Sequence, residues 1–112
     1  MGNIFIEYID TSLPCFKCKQ CDIVLFTRNA VVSSIINSGN VSKYYILNNC
    51  FNTYNEYNTR LSNININNKI YNCLPLNCRK CNCIVGYKII KCNEEPLYNN
   101  CYLFYNLYIK NK

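Results

Sequence analysis

Two short stretches restrict the folds open to this chain more than any other feature. Cys18-Lys-Gln-Cys21-Asp22 and Cys78-Arg-Lys-Cys81-Asn82 match position by position. A basic residue follows the first cysteine, a long polar residue comes next, and an Asp or Asn follows the second cysteine, ahead of an apolar run. Each reads as a knuckle, a tight turn whose two thiolates and inward backbone amides grip one side of a tetrahedral ion. Two knuckles complete a four-sulfur shell, so the spacing predicts one structural zinc ion on Cys18, Cys21, Cys78 and Cys81. Because 56 residues separate Cys21 from Cys78, the ion would join the two ends of the domain rather than close one finger. Pairing Cys15 with Cys18 is the rival register. It breaks the correspondence and places a ligand directly after Pro14.

The other cysteines are read against the compartment. The opening MGNIFIEYID lacks a basic start, and Glu7 and Asp10 interrupt what would be an apolar signal core. No later run approaches the length of a membrane span, and Ile6 stands where a myristoylation signal needs Ser or Thr. The expectation is a soluble, intracellular chain of nucleus or cytoplasm, whose ten cysteines are metal ligands or small buried hydrophobes rather than disulfides. Cys15, Cys50, Cys73, Cys83, Cys92 and Cys101 lie mostly within apolar runs and are read as core filler.

The formal charge of +6 suggests an anionic partner. Four thiolates around a divalent ion lower it to about +4, and Lys17, Lys19, Arg79 and Lys80 sit where they would offset a negative metal centre. No aromatic and basic RNA-binding run is present, and the duplex-reading finger needs histidines that the chain lacks. Nucleic acid is thus an open partner class without an indication in its favour.

At 112 residues the chain is long enough for one core, so residues 1–112 are read as a single domain. Helical periodicity is hard to find. Runs rich in Tyr, Ile and Val predict strands at 31–37, 43–51, 71–77, 84–92 and 101–110, hence a mainly β, antiparallel fold. In the last run Leu103, Tyr105, Leu107 and Ile109 fall on one face, with Tyr102, Phe104, Asn106 and Tyr108 on the other. The Asn-rich stretch of about 52–68 is read as a loop or insertion, and the 21 asparagines of the chain as the mark of AT-rich coding. Near the start, NIFIEYI is expected to form a short edge strand. Such an edge can be extended by a partner, with Phe5 and Tyr8 as anchors.

At these residues the chain resembles the Yippee-like family, in which two knuckles pin an antiparallel, β-tent-like fold shared with the centromere-licensing "Mis-eighteen" proteins and the ligand-binding domain of cereblon. The resemblance spans nearly the whole chain and is nearest to the branch opening Met-Gly-x-Ile-Phe, here MGNIF. CKQCDIVLFTR matches Cys-x-x-Cys-Asp-x-x-Leu-x-x-Arg. Asn48 and Asn52 occupy the two asparagine positions of the basic, aromatic segment KYYILNNCFN, and Val85-Gly86-Tyr87 stands for Leu-Gly-Trp. Tyr98 falls where the family has a tyrosine in its basic KYKEG turn, whose glycine is missing. The family's Thr-Gly-x-His loop is absent, and Ile89 replaces a tyrosine.

The resemblance implies a small, non-catalytic interaction subunit, associated in this branch with a CTLH (GID-type) multisubunit ubiquitin ligase. A zinc held by four thiolates has no open position for water, which agrees with a binding role. The runner-up is a chromatin role of the "Mis-eighteen" type. A remote third is methionine sulfoxide reduction, because Lys91-Cys92-Asn93 faintly resembles the nucleophile site of the B-type reductases. Those enzymes also use His and Trp, and neither occurs here.

Overall fold

The structure is a computed structural model and describes residues 14–37, 42–55 and 60–111. Its strands are β1 (Cys15–Cys18), β2 (Val24–Thr27), β3 (Val31–Asn37), β4 (Ser42–Leu47), β5 (Thr53–Tyr54), β6 (Ser62–Ile66), β7 (Lys69–Cys78), β8 (Ile84–Cys92), β9 (Tyr102–Tyr105) and β10 (Ile109–Asn111). Single 3-10 turns lie at Arg28–Ala30, Pro96–Tyr98 and Asn106–Tyr108. The fold is mainly β and antiparallel throughout, as expected. None of the helical segments among the described residues is long and apolar enough to cross a membrane.

Among the described residues two sheets are formed. A three-stranded sheet runs β10-β1-β2, and a larger one runs β3-β4-β9-β8-β7-β5, with β6 also pairing to β7. The long β7 carries both β6, opposite its first half, and β5, opposite Asn77 and Cys78. Apolar side chains alternate onto both faces of the larger sheet, and each face has its own core. Between the sheets, Phe16, Leu25, Phe26 and Ile109 meet Leu47, Leu76, Val85 and Phe104. The opposite face curls over Ile46, Ile66, Tyr71, Cys73, Ile89, Cys92 and Leu103. The curl is tied at its open side, where the Asn67 amide donates to the Ile36 carbonyl at 2.9 Å.

This two-sided burial corrects the reading of the last run. Leu103 and Phe104 are consecutive and both fully buried, one in each core. The strand then stops at Tyr105 in a 3-10 turn, which leaves Leu107 exposed and lets Ile109 re-enter as part of the small sheet. One expected strand becomes two because the chain must leave one sheet and join the other.

The Asn-rich stretch also differs from expectation. Part of it is strand β6, and Ile66 pairs with Lys69 across a two-residue loop. Asn67 and Asn68 both adopt positive φ, 52° and 68°. That is the turn required by the twist of a tight hairpin, and Asn is among the few residues that tolerate it. Residues 56–59 of this stretch, and the segment containing Phe5 and Tyr8, lie outside the described residues.

Candidate metal centre

The two knuckles are built alike. Each sits at the turn of a hairpin, β1 to β2 and β7 to β8. In the first, the amide of Cys18 donates to the Ile23 carbonyl and that of Asp22 to the Cys18 carbonyl, both at 2.9 Å. In the second, Cys78 donates to Cys83 and Asn82 to Cys78, again at 2.9 Å. Asp22 and Asn82 have φ of 69° and 65°. The shared Asp or Asn after the second cysteine is therefore a conformational requirement: only a short polar side chain or Gly takes the left-handed region at low cost.

Backbone amides also reach the sulfurs in the same pattern. Cys18 accepts from Gln20 and Cys21, and Cys78 from Lys80 and Cys81. Cys21 accepts from Ile23, and Cys81 from Cys83. These donors stabilise thiolate charge without adding a ligand.

The structure brings Cys18, Cys21, Cys78 and Cys81 together, with all four sulfurs within 4.8 Å of one another. Across the two knuckles, Cys18 Sγ lies 3.6 Å from Cys81 Sγ and Cys21 Sγ 3.4 Å from Cys78 Sγ. A zinc–sulfur bond of about 2.3 Å gives tetrahedral edges of about 3.8 Å; the two cross-knuckle edges fall a few tenths of an ångström short of that, and no edge of the cluster exceeds 4.8 Å. Cys15 is buried in β1 and is not part of the cluster.

Burial pushes the Cys18 thiol up to about 11 and raises Cys21 and Cys78 as well. Burial acts on Cys81 too, but the amide of Cys83 and the thiols of Cys18 and Cys78 outweigh it and bring that group to about 7. On the solvent side Asp22 pairs with Lys110, which holds its carboxyl below the usual range with help from Lys17 and Lys80.

Sequence reasoning identified Asn52 only as a family position and missed what it does. Asn52 is buried, with positive φ of 59°. Its side-chain amide donates to the Val24 carbonyl behind the first knuckle at 2.9 Å. Its own carbonyl accepts from the amide of Arg79 in the second knuckle, also at 2.9 Å. One residue thus bridges both halves of the centre. Asn52→Ala leaves the Val24 carbonyl without this donor and puts Ala where Asn tolerates the left-handed region better, so a loss of about 2–3 kcal/mol is expected. Denaturant unfolding should show it, and a loss below about 0.5 kcal/mol would remove the bridging role.

Of the other thiols, Cys73 and Cys92 are buried as expected, Cys50 and Cys101 are half-buried, and Cys83 is exposed. Cys83 departs from the core-filler reading because its backbone serves the knuckle turn, which leaves the side chain outside. Cys92 is closed off within the curled core beside Tyr71 and Cys73, a poor position for a nucleophile that must meet a sulfoxide.

The fold and the cluster together define a β-tent pinned by a four-thiol centre. Among solved structures, the chain is similar to the crystal structure of a Mis18 "Yippee-like" domain, with a TM-score of 0.66 and 17% sequence identity over 88% of this chain and 94% of that one. The chain has the Yippee-like fold. No protein-family model and no curated protein matches it.

Proposed function

We propose that the chain binds one structural zinc ion through Cys18, Cys21, Cys78 and Cys81 and works as a non-catalytic protein-interaction module, a subunit or regulator of a CTLH/GID-type ubiquitin ligase in the nucleus or cytoplasm. The observation that carries the zinc reading is the convergence of four sulfurs from two matched knuckles. A shell closed by four thiolates supports a structural ion, because no position is left for a substrate or a reactive water. The ligase reading rests on the MGNIF opening. The second reading, a chromatin-associated role, is favoured by the fold likeness to the Mis18 domain.

Zinc must displace protons from the thiols. With Cys18 at about 11, Cys21 and Cys78 raised and Cys81 near 7, about three to four protons should leave per ion at pH 7. In the folded, metal-bound state the thiols stay ionised far below their unfolded pKa. The stability they contribute is present above the unfolded value and is lost as pH falls. Calorimetric titration in buffers of different ionisation enthalpy counts the protons; release of fewer than about two would contradict four-thiolate binding.

Phe5 and Tyr8 are proposed as partner anchors at the start of the chain, since aromatic residues dominate binding hot spots. Phe5→Ala, or deletion of residues 1–8, should leave zinc content and folding near normal while reducing co-purification of ligase subunits from the native cell. Undiminished recovery of those subunits, or recovery of centromeric histone factors without a ligase, would replace the first reading with the second.

A further inference from the structure

A cleft of ≈170 Å³ opens beside the metal centre. One wall is the first knuckle at Lys19 and Gln20, another is the start of β8 at Ile84 and Val85, and the third is the turn at Leu107 and Tyr108. The Lys19 amide donates to the Tyr108 carbonyl at 3.2 Å, which joins the first wall to the third. Around a sealed Val85, three large apolar side chains stand open to solvent: Ile84 at 45%, Leu107 at 56% and Tyr108 at 40% exposure. Lys19 is the cation of the lining, and Lys17, Arg79, Lys80 and Lys110 flank the knuckles outside it, against Asp22 as the one carboxylate there among the described residues. Glu95 is paired with Lys69, and Glu94 lies beside Cys92. Even with a four-thiolate zinc centre of −2, about two positive charges remain at this pole.

We infer that this cleft is a docking site for an acidic and apolar peptide segment of a partner protein. The inference rests on the zinc reading, because the walls belong to different knuckles. An exposed apolar group with a charged rim is the usual form of a small recognition patch. The apolar side chains supply the contact, and Lys19 with its cationic neighbours sets the sign of the partner's charge. Charge alone would also admit a single-stranded nucleic acid, but bases need aromatic platforms on which to stack. Here the apolar part of the lining is the aliphatic Ile84, Val85 and Leu107 with a single ring, Tyr108, which stands T-shaped to Tyr105 at 5.3 Å.

The test uses the full chain with its metal and short labelled peptides of defined sequence, read by fluorescence anisotropy. A peptide of alternating Leu and Asp should bind, shift the methyl resonances of Ile84 and Leu107, and weaken with added salt. Its affinity should fall about tenfold in Leu107→Ser, with zinc content unchanged, and should also fall in Lys19→Gln, whose zinc content is measured alongside. Peptides of alternating Leu and Lys, or Ser and Asp, should not compete. Equal binding of the Ser and Asp peptide would overturn the proposal, as would a single-stranded oligonucleotide that binds more tightly and loses affinity in Leu107→Ser. Zinc measured on the same sample separates the two claims. Full zinc with no peptide binding removes the docking site, and peptide binding without zinc removes the zinc reading.

Discussion

Replacing any one of Cys18, Cys21, Cys78 or Cys81 by Ser is expected to leave no soluble, folded protein. Structural zinc on thiolates contributes on the order of 10–16 kcal/mol, whereas a whole domain is stable by about 5–15 kcal/mol. Losing one of four ligands removes enough of that term to exceed the margin. The geometry sharpens the expectation, because the ion would cross-link β1–β2 to β7–β8, where Asn52 supplies a hydrogen-bonded bridge between the knuckles. Cys15→Ser is the internal control. Cys15 is buried at 2% exposure but stands outside the cluster, so a cost of about 1 kcal/mol is expected. Circular dichroism and yield from parallel purifications read the outcome. Folded Cys21→Ser beside collapsed Cys15→Ser would show that the register starts one cysteine earlier.

Phe104→Ala should be the most damaging change outside the metal centre, with a loss of about 3–5 kcal/mol. The ring is fully buried on β9 and faces the small sheet, 5.1 Å from Phe26. It also lies over Gly86, where an added Cβ would come within 3.1 Å of the ring and 2.9 Å of the Leu103 carbonyl. Strands β8 and β9 are hydrogen-bonded at that point, Gly86 opposite Phe104, so the backbone cannot move in to fill the space. Denaturant unfolding of the zinc-loaded variant should show a lower midpoint at unchanged slope. A loss below about 1 kcal/mol would mean that the core between the sheets contributes little beyond the metal.

The legibility of this chain was uneven for physical reasons. The four-thiol cluster could be read because both knuckles need the same backbone, down to the left-handed residue at Asp22 and Asn82. The strands at Val31–Asn37 and Ile84–Cys92 were visible as long β-rich runs with intact boundaries. The hairpin of β6 was hidden by the abundance of asparagine, which makes Asn67-Asn68 look like filler although it is a specific turn. The break in the last run was hidden because alternation assumes one wet face, and β9 has none at Leu103 and Phe104. The bridge at Asn52 left no local signal, since its partners, Val24 and Arg79, are far away in sequence.

The account depends on a metal joined to both knuckles at once. Elemental analysis together with X-ray absorption on protein purified under reducing conditions tests it directly. The expected result is one zinc per chain with four sulfur neighbours at about 2.3 Å. Protein that is folded but metal-free, or a zinc with nitrogen or oxygen in its first coordination sphere, would contradict it.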